Sequence, residues 1–398
     1  DGCQSFEEFR MKFFSGLGLN LTAAQRVYAA FFLYAFALGG LYPRMAEIQH
    51  AMGVAEGALG MGLIGTASGT LISLTFGGRL ISRIGASRVL WFGLPLVAVF
   101  YAIASFAAHP LYLFLSLVPA GICIGALEQV INLEADRVEF ALGRRIMNRA
   151  HAFWSIGFAC AGLLGALAAQ CEITPQQHLL GMVLFTASLV CWLLGQFKPS
   201  PIRPQANSNE SAEAVKFALP TPAILMLVAA TFSVMLMEGA GIDWSAIYMR
   251  DVFSSSPFIC GLAVATGATS QAITRFFADR FVERYQPVRV ARCLVLVLSV
   301  GVCAVVWAVT PWMALMGMAL MGVGTSAIFP LAMSAAARRT DRPAAVNIAA
   351  LAQTSFLIFL LGPPLLGWVA QYFGIRATFA VSLPFLVLSF WAVKSLKN

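Results

Sequence analysis

Apolar runs of roughly twenty residues recur twelve times along this chain, separated by short polar turns, and few folds accommodate that pattern. A helix rising about 1.5 Å per residue needs about 20 mostly apolar residues to cross the hydrocarbon of a bilayer. The runs lie at 27–43, 57–78, 89–108, 111–134, 151–170, 178–197, 222–248, 258–277, 291–309, 312–334, 345–370 and 376–393. Charged residues make up only 11% of the 398, less than half the roughly 25% of soluble domains, while hydrophobic residues make up 59%. So few charges cannot cover a water-soluble surface, and a basic nucleic-acid-binding domain is excluded with it. The expected fold is an all-α membrane protein with twelve transmembrane helices.

Between the sixth and seventh runs the composition changes. Residues 198–221 are rich in Pro, Ser, Asn and Glu, bury no core and read as a linker. They divide the chain into a cytoplasmic segment at 1–26, a six-helix bundle at 27–197, the linker, a second six-helix bundle at 222–393 and a tail at 394–398. Orientation follows from Lys and Arg, which accumulate in short cytoplasmic loops. With the N-terminus inside, 23 of the 26 basic residues fall on the inner side, and only Arg44, Arg250 and Arg376 fall outside. Both termini are therefore expected in the cytoplasm, and the net charge of +8 is a matter of topology. The eight cysteines have no metal-site spacing and read as small packing residues.

The two halves echo one another. The loop after the second span reads Gly78-Arg79-Leu-Ile-Ser82-Arg83-Ile-Gly85-Ala-Ser-Arg88, and that after the eighth runs from Arg275 through Asp279-Arg280 to Arg284. A basic turn at the same place in each half is the internal repeat of a two-bundle transporter. Together these features resemble the major facilitator superfamily, whose G-x-x-x-D-R-x-G turn is matched at Gly78, Arg83 and Gly85. Ser82 replaces its acidic residue, whereas Asp279-Arg280 keeps the pair in the second half. The stretches Gly143–Gly157, Glu238–Asp251 and Leu361–Ala377 are similar to the bacterial YbjJ-type branch of that family. The resemblance implies two pseudo-symmetric bundles and a small-molecule site near the midplane. The proline motif that many drug antiporters carry in the fifth span is absent from "SIGFACAGLLGALAAQ".

A charge at the bilayer centre costs at least roughly 2.5–3.5 kcal/mol on insertion scales, so embedded carboxylates mark functional candidates. Glu128, Glu238 and Asp243 pass that filter as proton-coupling residues. Glu238 is flanked by Gly239 and Gly241, each weakening the helix by about 1 kcal/mol relative to alanine; the alternative is a carboxylate that locks helix to helix. Asp243 fits an outer-gate role or substrate contact, with Trp244 and Tyr248 as an aromatic belt. Glu128 and Asn132, four apart, share a helix face, and Gln129 lies beside them; substrate contact and helix–helix hydrogen bonding are both open. Tyr34, Gln271, Asn347, Gln353 and Thr354 complete the substrate candidates, with Trp244 and Glu238 also among them. Arg79, Arg83, Arg275, Asp279, Arg280 and His151 form the gating and inter-helix set, Arg275 being expected at a cytoplasmic helix end to pair with Asp279 or a carbonyl. Arg44 is three residues before Glu47 and reads as its local partner. Glu134, Asp136 and Glu139 read as a solvated loop network with Arg137, Arg144 and Arg145.

No nucleotide loop, zinc motif, nucleophile elbow or redox signature is present, so no cofactor or metal is expected and the chain does not read as an enzyme. The expected partners are a small-molecule substrate, protons and the lipid bilayer, with the chain acting as a monomer in a bacterial inner membrane. The first reading is a proton-coupled secondary transporter of a small polar or amphipathic solute. A proton-driven efflux pump for hydrophobic compounds and a non-transporting scaffold or receptor are the alternatives.

Overall fold

A computed structural model of the chain describes residues 19–144, 146–201 and 218–397, and the described residues are helical throughout. The elements are α1 (Ala23–Gly39), a 3₁₀ turn (Tyr42–Arg44), α2 (Met45–Met52), α3 (Glu56–Phe76), α4 (Gly78–Ile84), α5 (Ala86–Ala104), α6 (Pro110–Leu142), α7 (Met147–Gln170) and α8 (Pro175–Leu194). Beyond the linker come α9 (Pro222–Asp243), α10 (Ser245–Phe253), α11 (Pro257–Tyr285), α12 (Pro287–Val306), α13 (Pro311–Thr325) and α14 (Ile328–Ala337). The chain ends in α15 (Ala344–Phe373), α16 (Ile375–Ala380), α17 (Leu383–Ala392) and a 3₁₀ turn (Val393–Lys397). Eleven of the helical stretches are long and apolar enough to cross a membrane. α11 has the length but falls outside that set, because Thr, Ser, Gln271 and Arg275 interrupt its apolar run.

Threonine–proline pairs start three of the spans. Thr174, Thr221 and Thr310 accept a hydrogen bond from a first-turn N–H, and the following proline occupies the first helical position, where no N–H is needed. Four apolar runs that read as single spans are each divided: after Gly39, at Trp244, at Ser326–Ala327 and at Val381–Ser382. Gly40, Ser245, Ser326 and Ser382 stand at or beside these points, and the serine hydroxyls donate back to backbone carbonyls of the preceding turn at Gly241, Val323 and Phe379.

The described residues form two compact units, one within 19–54 and 62–201, the other within 55–61 and 218–397. In the first, α1 packs along α7, and α5 packs along α6 and α8. Helices α3 and α6 meet along glycines: a Cβ added at Gly69 would collide with the Val118 carbonyl, and one at Gly121 with the Thr66 carbonyl. Gly65 and Gly125 continue the same seam, so each helix contributes a small-xxx-small pair that lets backbones approach. Thr70 Oγ1 donates across it to the Gly121 carbonyl at 3.1 Å. In the second unit α13 packs on α11 and α12, and α9 packs on α15 and α17. There Gly322 meets the Gly267 carbonyl, and Gly301 and Gly317 face one another.

The polar residues near the helix ends are less solvated than the sequence suggests. Glu134 is buried rather than part of an open loop, accepting from the Ser200 N–H at 2.8 Å and lying 4.0 Å from Arg137. Glu139 accepts from the N–H groups of Ile146 and Met147 at 2.7 and 3.0 Å, supplying α7 with the cap its own sequence lacks. Arg145 lies outside the described residues.

Candidate functional site

The densest polar cluster within a span is in the second unit, centred on Glu238. Its position in α9 is set by an apolar helix that buries nearly every residue from Thr231 to Met237, leaving Glu238 and Gly239 partly open. From α11 come Gln271 and Arg275, one turn apart and hence on one face. Gln271 Nε2 donates to Glu238 Oε1 at 2.8 Å, and Arg275 Nη2 lies 3.4 Å from the same oxygen. Thr325, at the end of α13, accepts from Gln271 at 3.3 Å, and the Ser326 carbonyl accepts from Arg275 Nε at 2.9 Å. The break after Thr325 exposes that carbonyl, since Ser326 lies outside the regular helix.

The Glu238 and Arg275 side chains are only 17% and 15% exposed. Taking two charges out of water is repaid only by good geometry and further hydrogen bonds, which Gln271 and Ser326 provide. Arg275 lies inside α11, well before its C-terminal Tyr285. It reaches a carbonyl, as the sequence allowed, and also the Glu238 carboxylate, which one chain's spacing could not reveal. The side chains of Asp279 and Arg79 lie outside the described residues, and Arg83 and Arg280 are exposed.

Asp243, the last residue of α9, is apart from this cluster. It lines a cleft between α9 and α15 with Met235, Leu236, Gly239, Phe359 and Pro363. Trp244 and Tyr248 do not form a belt. Both are fully buried, and the Tyr248 hydroxyl donates to the Val305 carbonyl at 2.6 Å.

In the first unit Glu128 is exposed along α6, and Asn132 is half-buried one turn on. Asn132 Nδ2 donates back to the Glu128 backbone carbonyl at 2.9 Å. The buried Tyr34 of α1 interacts with the Glu128 carboxylate through its phenol. Gln129 turns toward the α3–α6 seam, donating to the carbonyls of Ser73 and Gly125 at 3.1 and 3.3 Å. His151 packs edge-on against Phe31.

Of the remaining candidates, Gln353 and Asn347 serve the linker exit, while Thr354 bonds within its own helix. Gln353 Oε1 accepts from the Ala218 N–H at 3.0 Å. Asn347, fully buried, donates to Asp341 at 2.9 Å, and Thr354 bonds back to the Ala350 carbonyl at 2.7 Å. The sequence missed Thr325, Ser326 and Pro363 as neighbours of Glu238 and Asp243. Hydroxyls and a proline in an apolar run were their only signal.

The described residues thus form an all-helical chain with eleven stretches long and apolar enough to cross a membrane and an ion pair between α9 and α11, the architecture of a multi-pass membrane protein. The Major Facilitator Superfamily profile matches residues 226–397. An uncharacterized transporter, y4wD, of Sinorhizobium fredii is 30% identical over 362 residues, covering 91% of this chain and 94% of its own length. An uncharacterized MFS-type transporter of Yersinia pestis is 24% identical, covering 88% and 89% respectively. A crystal structure of a mutant of the nucleoside transporter NupG superimposes with a TM-score of 0.72 at 14% identity, over 95% of this chain and all of that one. The chain belongs to the major facilitator superfamily, and its fold is the fold of that family. It is a transporter and not an enzyme.

Proposed function

We propose that the chain is a proton-coupled secondary transporter of a bacterial inner membrane, moving a small polar or amphipathic solute by alternating access, with Glu238 as the coupling group. One observation carries this reading: an ionisable carboxylate within a span, held by Arg275 and Gln271. Ionised, Glu238 balances the Arg275 charge and ties α9 to α11. Protonated, it retains a hydrogen bond to Gln271 but no longer attracts the guanidinium. Loss of one partner of such a pair costs up to about 3–5 kcal/mol when burial is complete and less at this exposure. That is enough to bias a two-state helix arrangement. Gly239 and Gly241 leave α9 room to respond, since an added Cβ would meet nothing closer than 3.8 Å at Gly239 and nothing within 4 Å at Gly241. Placement within the YbjJ-type branch rests on the three stretches quoted above.

A panel of metabolites screened by thermal shift would supply a transported solute, and proteoliposomes with an internal pH dye would follow it. Wild-type protein should take up protons with solute. Glu238→Gln should fold, exchange solute across the bilayer and move no protons. Undiminished gradient-driven accumulation by that variant would refute the coupling role. Efflux of hydrophobic compounds is the second reading; accumulation of a dye inside inverted vesicles, whose cytoplasmic face is outermost, would select it.

A further inference from the structure

Two helices of the second unit carry exposed apolar stripes that end in a cation at the same rim. On α12, Arg289, Cys293, Leu296 and Val300 are exposed at spacings of four, three and four, and so share one face. On α17, Val387, Leu388 and Trp391 are exposed at helical spacing, and the exposed Lys394 follows three residues on in the closing 3₁₀ turn. α12 packs against both α17 and that turn. The Arg292 guanidinium lies 5.7 Å from the centroid of the Phe390 ring, which sets the first turns of α12 beside the last turn of α17.

Positive charge at this rim is unbalanced. Among the described residues, none of Arg289, Arg292, Lys394 and Lys397 pairs with a carboxylate. Arg292 Nε is buried with no acceptor. Lys394 Nζ lies 4.6 Å from the Trp391 ring centroid, so its charge faces an aromatic ring in place of an acid. α12 also begins here, with Pro287 in its first turn, and the positive end of its dipole adds to the same field. Topology accounts for cations on this side of the chain. It does not account for two of them standing at the ends of exposed apolar stripes on adjoining helices, next to an exposed tryptophan.

We infer that this rim binds the headgroup of an anionic phospholipid, with the acyl chains along the α12 and α17 stripes. A phosphate diester brings one negative charge and acceptor oxygens to guanidinium and ammonium donors that the protein leaves without an acid. Long basic side chains keep their stems on apolar surface while their heads reach the interface, and a tryptophan suits that depth. A soluble phosphate ester would use the cations but not the stripes. A zwitterionic lipid would use the stripes but bring its own cation. The inference goes beyond the transport reading and needs neither Glu238 nor a known solute.

The test is lipid binding to the purified full-length protein in a neutral maltoside detergent, read as melting temperature against the mole fraction of added lipid. Dioleoylphosphatidylglycerol should raise the melting temperature in a saturable manner. Dioleoylphosphatidylcholine, with the same chains, should raise it much less, and glycerol phosphate not at all. The double variant Arg289→Gln/Lys394→Gln should need at least about tenfold more phosphatidylglycerol for half the shift, as expected when two interfacial cations are removed. Both side chains are exposed, so the fold should survive; each single variant is measured too, and a partial loss in each decides the matter if the double variant does not fold. Arg144→Gln/Arg149→Gln, which removes two exposed cations from the first unit, should leave the shift intact. Equal shifts by the two lipids, an equal shift by glycerol phosphate, an unchanged response in the folded Arg289 and Lys394 variants, or the same loss in the Arg144 and Arg149 variant would overturn the proposal.

Discussion

At the scale of single residues, charges in this chain divide into those with an evident structural task and those without. Arg44 has one. It is fully buried, donates to Glu47 Oε1 at 2.8 Å and to the Ile173 carbonyl at 2.6 Å, and so fastens the end of the first span to the turn before α8. Its planar fork serves two acceptors at once, which a lysine cannot reproduce. Arg44→Lys should lower thermal stability and Arg44→Ala should lower it further, by about 2–4 kcal/mol, since hydrogen bonds to charged groups are worth roughly 1.5–3 kcal/mol each. Substrate affinity should be unchanged in both, as checked by melting curves beside a binding titration. The sequence revealed the pairing with Glu47 from its spacing, but not the carbonyl 129 positions away. Asp341 is the comparable case at the linker exit. The Asn347 amide, with help from Thr221 and Arg339, holds its carboxyl below the usual aspartate range. A depressed folded-state pKa means stability that is present above the ordinary aspartate value and is lost as pH falls through the lower, folded one. Melting temperature should therefore drop on acidification in wild type, and Asp341→Asn should flatten that part of the curve.

At the scale of elements, the twelve apolar runs were legible because the bilayer sets their length, and each contains helix. Breaks within the runs were not. Hydropathy averages over a window and is blind to a single residue such as Trp244 that leaves the ladder. Partners of Glu238 were half legible: Gln271 and Arg275 stood out as polar residues in an apolar span, but pairing across α9 and α11 depends on tertiary packing. The repeated basic turn has a backbone counterpart. Gly85, between α4 and α5, has φ 89° and ψ 144°, and Gln286, between α11 and α12, has φ 68° and ψ 148°. Only glycine adopts that region without strain, and a non-glycine residue there costs about 1–3 kcal/mol. Gln286→Gly should consequently stabilise the protein by about 1 kcal/mol, whereas Gly85→Ala should destabilise it by a similar or larger amount. A pair of melting curves reads both signs, and stabilisation by Gly85→Ala would contradict the shared geometry. The glycine seam of α3 and α6 makes a sharper prediction. Gly121→Val would drive its Cβ into the Thr66 carbonyl, and backbone cannot yield as a side-chain tip does, so folded protein should be recovered poorly in detergent. Gly65-x-x-x-Gly69 and Gly121-x-x-x-Gly125 were present in the sequence as the signal for this contact.

At the scale of the whole molecule, the question left to the bilayer is orientation, for which the distribution of charge makes a prediction. Twenty-three of the 26 Lys and Arg residues fall in segments that lie on one side if the spans alternate, and Arg44, Arg250 and Arg376 fall on the other. Those three are not free surface charges that a reversed insertion could tolerate equally. Arg44 pairs with Glu47, Arg250 with Asp251, and Arg376 donates to the carbonyls of Val306 and Ala308 at 2.6 and 2.7 Å. Each positive charge on the sparse side thus has a local partner. Inversion would carry the basic turns at 79–88, 137–149 and 275–292 across the membrane against the potential, at about 2.3 kcal/mol per charge per 100 mV. Residues 200–215 of the linker should therefore face the cytoplasm. Single cysteines placed there, in a background with the eight native cysteines replaced, should stay unlabelled by an impermeant maleimide on intact cells and react once the cells are permeabilised. A cysteine at residue 254, in the turn after α10, should show the opposite pattern, and efficient labelling of the linker in intact cells would invert the topology.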